Sequence, residues 1–191
     1  MTVAVLATWL WLAYEVGLIV RDKLRGRGST AHDQRSRATI YVVVIVSVFC
    51  AALIGALLPE SSPFAFPGPP PLFWQIVGLT LMGLGFALRV WAIAVLGAAF
   101  RTTVEVDADQ RVVDRGPYRR IRHPSYTGVA LITTGFGLAC ANWISLALAT
   151  ILPVYVLSRR IRIEEQALLE TLGEAYRIYC RGTKRLIPWV W

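Results

Sequence analysis

The chain has 191 residues, of which 55% are apolar and only 17% charged, with a net charge of +8 and a mean hydropathy of +0.53. A water-soluble domain carries charge on about a quarter of its residues, and here the apolar residues run in long blocks, which excludes a soluble globular domain and marks an integral membrane protein. The basic residues cluster beside those blocks, so anionic lipid head groups are the expected partners and nucleic acid is not.

Residues 2–20 form a first apolar segment interrupted by Glu15 and followed at once by Arg21, Lys23, Arg25 and Arg27. With no basic stretch before it and no small-residue cleavage site after it, this reads as a retained span and not a secretory signal. Arg35 and Arg37 complete the first basic loop. Residues 38–58 are a second span. Residues 59–71 hold six prolines and no Lys or Arg, a composition that gives an extended, stiff connector. Residues 72–96 are a third span, containing Arg89. The polar loop 97–124 carries Arg101, Arg111, Arg115, Arg119, Arg120 and Arg122.

Two shorter apolar segments follow, 125–141 and 143–157, separated by Asn142. At 1.5 Å per residue each reaches only about 25 Å, which predicts a helical hairpin that barely spans or is re-entrant, its second arm kinked at Pro153. In residues 158–180, Ile161, Leu168, Leu169, Leu172, Tyr176 and Tyr179 recur at helical spacing among Arg160, Arg162, Glu164 and Glu165. This predicts an amphipathic interfacial helix, separate from the hairpin's second arm or continuous with it, and broken near Gly173. Trp189 and Trp191 suit the head-group zone. Cys50, Cys140 and Cys180 show neither disulfide pairing nor metal spacing, and no metal site is expected.

Nineteen of the twenty Lys and Arg residues fall in the first loop, the third loop or the C-terminal segment. The positive-inside rule then gives an all-α, polytopic protein with five transmembrane helices, its N-terminus outside and its C-terminus cytoplasmic. One membrane domain, 1–191, accounts for the whole: residues 1–71 with two spans and the external Pro-rich loop, and residues 72–191 with the groups able to carry chemistry. The expected location is a prokaryotic inner membrane.

His123 lies between Arg122 and Pro124 where the hairpin begins. The unsatisfied N–H groups of a helix start can hold an anion, although Pro at the first helical position beside a basic anchor is an ordinary helix start. Glu164 and Glu165 point in different directions on a helix, and Arg160 lies one turn before Glu164. They form either a surface ion pair or the acidic rim of a pocket for a cationic group, with Arg160 beside it for an anionic one; the residues alone leave both open. Glu15 and Arg89 are charges within spans. Arg89 shares a face with Gly78, Met82 and Gly85, where another helix can approach, and an intramembrane Glu15–Arg89 pair is expected, its role either structural or directly catalytic.

Gly116-Pro117-Tyr118, then Arg122-His123-Pro124-Ser125-Tyr126 with Gly128, then an apolar hairpin, then Glu164-Glu165 resembles the isoprenylcysteine carboxyl methyltransferase family. Leu88-Arg89-Val90-Trp91-Ala92 with Leu96-Gly97 continues the likeness, which covers residues from roughly 80 to the end. Phospholipid N-methyltransferases and sterol reductases share related C-terminal halves. The resemblance implies a membrane methyltransferase that binds S-adenosyl-L-methionine in a cytoplasmic C-terminal region. Carried over by motif, the cofactor would meet a strand-like Gln110, Arg111, Val112 and Val113, then Tyr118, then His123, Pro124, Ser125 and Tyr126, then Glu164 with Glu165. Arg160 and Glu164 are the implied catalytic pair, Arg160 at the substrate carboxylate. The implied reaction is carboxyl O-methylation of a lipophilic or prenylated, isoprenylcysteine-like acid. The alternatives are N- or S-methylation of a lipid amine or small thiol, a nicotinamide-dependent reductase resembling the sterol enzymes, and a membrane scaffold without enzyme activity.

Overall fold

A computed structural model of the protein describes residues 2–24, 31–97, 100 and 112–187, with side chains for all of these except 31–37. The described residues form six helices: α1 (Thr2–Leu24), α2 (Ala31–Leu57), α3 (Pro71–Leu96), α4 (Pro124–Ala139), α5 (Trp143–Leu172) and α6 (Glu174–Gly182), with a 3-10 turn at Gly116–Arg119 before α4. No strand occurs among them, only two isolated bridges. The fold is all-α, and α1, α2, α3 and α5 are each long and apolar enough to cross a membrane. The fifth expected crossing falls on α4, which has 16 residues and reaches about 24 Å.

The hairpin's second arm and the amphipathic helix are one element. α5 continues through Pro153 without a break for 30 residues, a length of about 45 Å against a hydrocarbon core of about 30 Å. Its last turns, where the apolar run gives way to charged residues, carry Glu164 and Glu165. Gly173 ends the helix at φ 57°, its N–H donating to the carbonyl of Leu169. That backbone conformation suits glycine, and α6 departs from it in a new direction.

α3 packs most extensively on α4. A Cβ placed on Gly135 would sit 2.6 Å from the Gly78 carbonyl oxygen, and one on Gly128 would sit 2.6 Å from that of Gly85. The two backbones thus touch at two levels, Gly78 with Gly135 and Gly85 with Gly128, as antiparallel helices must if small residues line the seam. Ile132 and Phe136 of α4, with Trp11, Val48, Ala51 and Met82 from α1 to α3, fill the centre of the bundle. Close packing matters more here than in water, because lipid is as apolar as the side chains and gives helices no hydrophobic reason to associate.

At one end of the bundle the α4–α5 turn is capped by Asn142, whose side chain accepts from the Ser145 N–H at 2.8 Å. The Pro-rich segment folds back on this turn: the Phe66 N–H donates to Ala141, the Trp143 N–H donates to Phe64, and the Phe66 ring meets Trp74 and Trp143 edge-on. The helix starts and ends that carry polar chemistry lie at the other end. Cys50, Cys140 and Cys180 are free thiols, each half-buried.

Candidate functional site

Three pieces of chain meet at that end: the turn leading into α4, the last third of α5, and the segment after α6. Their junction is backbone-built. The Arg122 and His123 N–H groups donate to the carbonyls of Lys184 and Arg185 at 2.7 and 3.0 Å, and the Lys184 N–H donates back to Arg120. Thr127 Oγ1 donates to the Leu186 carbonyl at 2.9 Å, and the Tyr179 hydroxyl donates to that of Tyr118 at 2.7 Å. Residues 183–186 thus lie as a strap across the start of α4, with Thr183 and Leu186 buried.

Glu165 is the ionic centre of the junction. Arg122 Nε donates to its Oε1 at 2.7 Å and Arg185 Nε to its Oε2 at 2.8 Å. Arg122 also reaches the carbonyls of Cys180 and Thr183 through Nη1. Burial works against the Arg122 charge, but its bond to Glu165 and that carboxylate's charge prevail and raise its pKa above the ordinary value. A carboxylate shared by two guanidinium groups ties α5, the α4 turn and the strap together.

Glu164, the neighbouring carboxylate, faces elsewhere. Its side chain keeps 30% of its surface, and its Oε2 accepts from the Tyr126 hydroxyl at 2.8 Å. Arg160, one turn earlier on α5, is buried and also interacts with that hydroxyl. His123 is buried and stacks on Tyr126 with ring centroids 5.7 Å apart. Its Nδ1 is 4.0 Å from Glu164, and its Nε2 is 3.4 Å from Glu165 without the alignment of a hydrogen bond. Tyr118 and Tyr176 are buried as well. Burial first, and the Glu164 or Glu165 charge second, pushes both phenols up, so they stay protonated.

The structure therefore brings Tyr118, His123, Tyr126, Arg160, Glu164 and Glu165 to one end of the bundle. Pro124 is fully buried at the first position of α4, and Ser125 faces α3, where its Oγ accepts from Arg89 at 2.7 Å. Val112 and Val113 are half-buried and form no strand, so the strand-like reading of that segment is corrected there. Gln110 and Arg111 lie outside the described residues. Sequence reasoning missed Arg185 and Thr183 as partners of the site. Nothing in the sequence pairs Arg185 with Glu165, since the contact depends on the chain reversing after Gly173.

The sequence profile of the isoprenylcysteine carboxyl methyltransferase (ICMT) family matches residues 76–170. Protein-S-isoprenylcysteine O-methyltransferase B of Arabidopsis thaliana is 27% identical over 159 residues, covering 81% of each chain. The uncharacterized protein YpbQ of Bacillus subtilis is 28% identical over 130 residues, covering 68% of this chain and 73% of its own. The solved structure of the eukaryotic intramembrane Ras methyltransferase ICMT superposes with a TM-score of 0.64 at 27% identity, over 78% of this chain. This chain spans about half the length of that solved protein, 52%.

The family profile, the named relatives and the structural likeness together place the chain among the integral-membrane methyltransferases. It belongs to the isoprenylcysteine carboxyl methyltransferase family.

Proposed function

We propose that the protein transfers a methyl group from S-adenosyl-L-methionine to the carboxylate of a lipophilic, isoprenylcysteine-like acid at the cytoplasmic face of the membrane. The observation that carries this reading is the cluster of Tyr126, Arg160 and Glu164, in which one hydroxyl joins a part-exposed carboxylate to a buried guanidinium. That arrangement holds one site of each sign side by side at the edge of an apolar bundle. The names of the relatives, protein-S-isoprenylcysteine O-methyltransferases, support the same acceptor chemistry.

The residues fit such a donor. Glu164 offers a carboxylate toward a cationic group, and the buried His123 ring, stacked on Tyr126, lies beside it. When bound, the donor supplies an electrophilic methyl on a positively charged sulfur. Everything else falls to the chain. Arg160 holds the acceptor carboxylate through charge-assisted hydrogen bonds. Glu164, fixed by Tyr126, holds the donor's cationic end. Donor and acceptor carry opposite charges that cancel as the bond forms, so a dry pocket favours reaction and no general base is needed. The Glu165 clamp with Arg122 and Arg185 keeps the strap closed over the start of α4 and excludes water.

In this reading α4 crosses with α1, α2, α3 and α5, for five crossings with the site inside. The acceptor's tail enters from the bilayer and the polar donor from the cytoplasm. The test uses purified protein in vesicles with methyl-labelled S-adenosyl-L-methionine and a small S-prenylated N-acylcysteine. Alkali-labile label in the lipid product is expected, because an ester hydrolyses. Absence of label, or alkali-stable label, would overturn carboxyl methylation; stable label would instead indicate an N- or S-methyl product.

A further inference from the structure

Two charges lie deep in the bundle, apart from the cluster of Tyr126, Arg160 and Glu164. Glu15 of α1 and Arg89 of α3 are both buried, at 2% and 6% exposure. Arg89 grips the carboxylate through two nitrogens, Nε to Oε1 at 2.5 Å and Nη2 to Oε2 at 2.6 Å. Trp11 Nε1 donates to Glu15 Oε1 at 2.8 Å, and the Tyr41 hydroxyl donates to Oε2 at 3.3 Å. The remaining Arg89 nitrogen, Nη1, donates to Ser125 Oγ at 2.7 Å and to the Ser125 carbonyl at 3.3 Å. Ser125 is the second residue of α4, flanked on either side by Pro124 and Tyr126, with His123 just before. The Gly128–Gly85 contact makes this reach possible, since a Cβ on Gly128 would lie 2.8 Å from Arg89 Cβ.

An ion pair in hydrocarbon is costly, and a pair needed only to join two helices would leave the third nitrogen without a task. A guanidinium's planar fork can hold a carboxylate on one edge and a third acceptor on another; an ammonium cannot match both. We propose that Arg89, charge-balanced by Glu15, is a positioning residue for methyl transfer: through Ser125 it fixes the first turn of α4, and with it the orientation of His123 and Tyr126 toward Glu164. The inference rests on the methyltransferase reading above. It gives α1, which lies outside the matched family region, a part in shaping the site through Glu15.

The test is a double-mutant cycle on donor binding in the full-length protein, read by equilibrium binding of labelled S-adenosyl-L-methionine. Arg89→Lys keeps a charge opposite Glu15 but cannot span to Ser125, and Ser125→Ala removes the acceptor while leaving the ion pair. Each is expected to weaken donor binding about tenfold, and the double variant no more than either alone, because both break one link. Amide exchange across residues 126–128 of the donor-free protein should quicken in Ser125→Ala, a readout that survives if Arg89→Lys fails to accumulate in the membrane. Unchanged donor affinity in both single variants, losses that add, or unaltered exchange in Ser125→Ala would each overturn the positioning role. A wild-type protein that binds no donor would instead overturn the methyltransferase reading, so the two failures are distinguishable.

Discussion

Glu164 and Glu165 are adjacent in sequence and do different work. Glu165 is buried and bound by Arg122 and Arg185, whereas Glu164 keeps part of its surface and holds the Tyr126 hydroxyl. Helical geometry separates them by about 100°, which turns one side chain toward the strap and the other toward the cluster of Arg160 and His123. The assignments to Arg160 and Glu164 give separable effects. Arg160→Ala should lower kcat/KM for the acceptor about 100-fold, about 2.7 kcal/mol of transition-state stabilisation, with Lys restoring part of it. Donor affinity should change little in that variant. Glu164→Gln should show the reverse split, weakening donor binding more than it raises the acceptor KM. Steady-state kinetics with each substrate varied in turn, together with donor binding, checks both. The presence of these residues was legible in the sequence from their spacing, and Arg160 one turn before Glu164 followed from the helical period alone. That Tyr126 bridges them was not legible, because its partner lies 38 positions away on another helix.

At the scale of elements, the α3–α4 seam depends on residues too small to be noticed by hydropathy. Gly78, Gly85, Gly128 and Gly135 let the backbones meet, and a methyl group at any of them overlaps main-chain atoms. Gly85→Ala or Gly135→Ala should destabilise the bundle by about 1–3 kcal/mol, the usual range for overpacking. Gly83→Ala, on the same helix with open space around its Cβ position, should be neutral or slightly stabilising, since alanine favours helix. Thermal unfolding in detergent compares the three. The face of Arg89, Gly78, Met82 and Gly85 was readable from periodicity, including the approach of a neighbouring helix. Which helix approaches was not readable, and neither was the continuity of α5. Pro153 and the change from apolar to charged residues both argue locally for a boundary. Tertiary packing overrides them: Leu157, Arg160 and Ile161 are all buried, so burial continues through the change in composition.

The molecule as a whole has two unlike ends. The Pro-rich segment and the α4–α5 turn close one end without a Lys or Arg, and the basic strap, the α4 turn and the last turns of α5 form the other. On the proposed five crossings these ends face opposite sides of the membrane. Single cysteines placed at Ser61 and Gly182 in a cysteine-free background should react with a membrane-impermeant thiol reagent from the outer and the cytoplasmic side respectively. Labelling of both from one side would contradict that topology. Residence in a membrane, the helical class, the charge bias of the loops and the resemblance to a methyltransferase family were all determined by the sequence itself, because hydropathy, helical period and short motifs are properties of neighbouring residues. Tertiary structure alone decided that Glu165 closes a strap with Arg185, that Glu15 reaches Arg89 across 74 positions, and that Ser125 faces α3 at the edge of the site. Those contacts depend on how helices seat against one another, and in an apolar medium that seating is set by backbone approach and buried polar pairing rather than by any pattern along the chain.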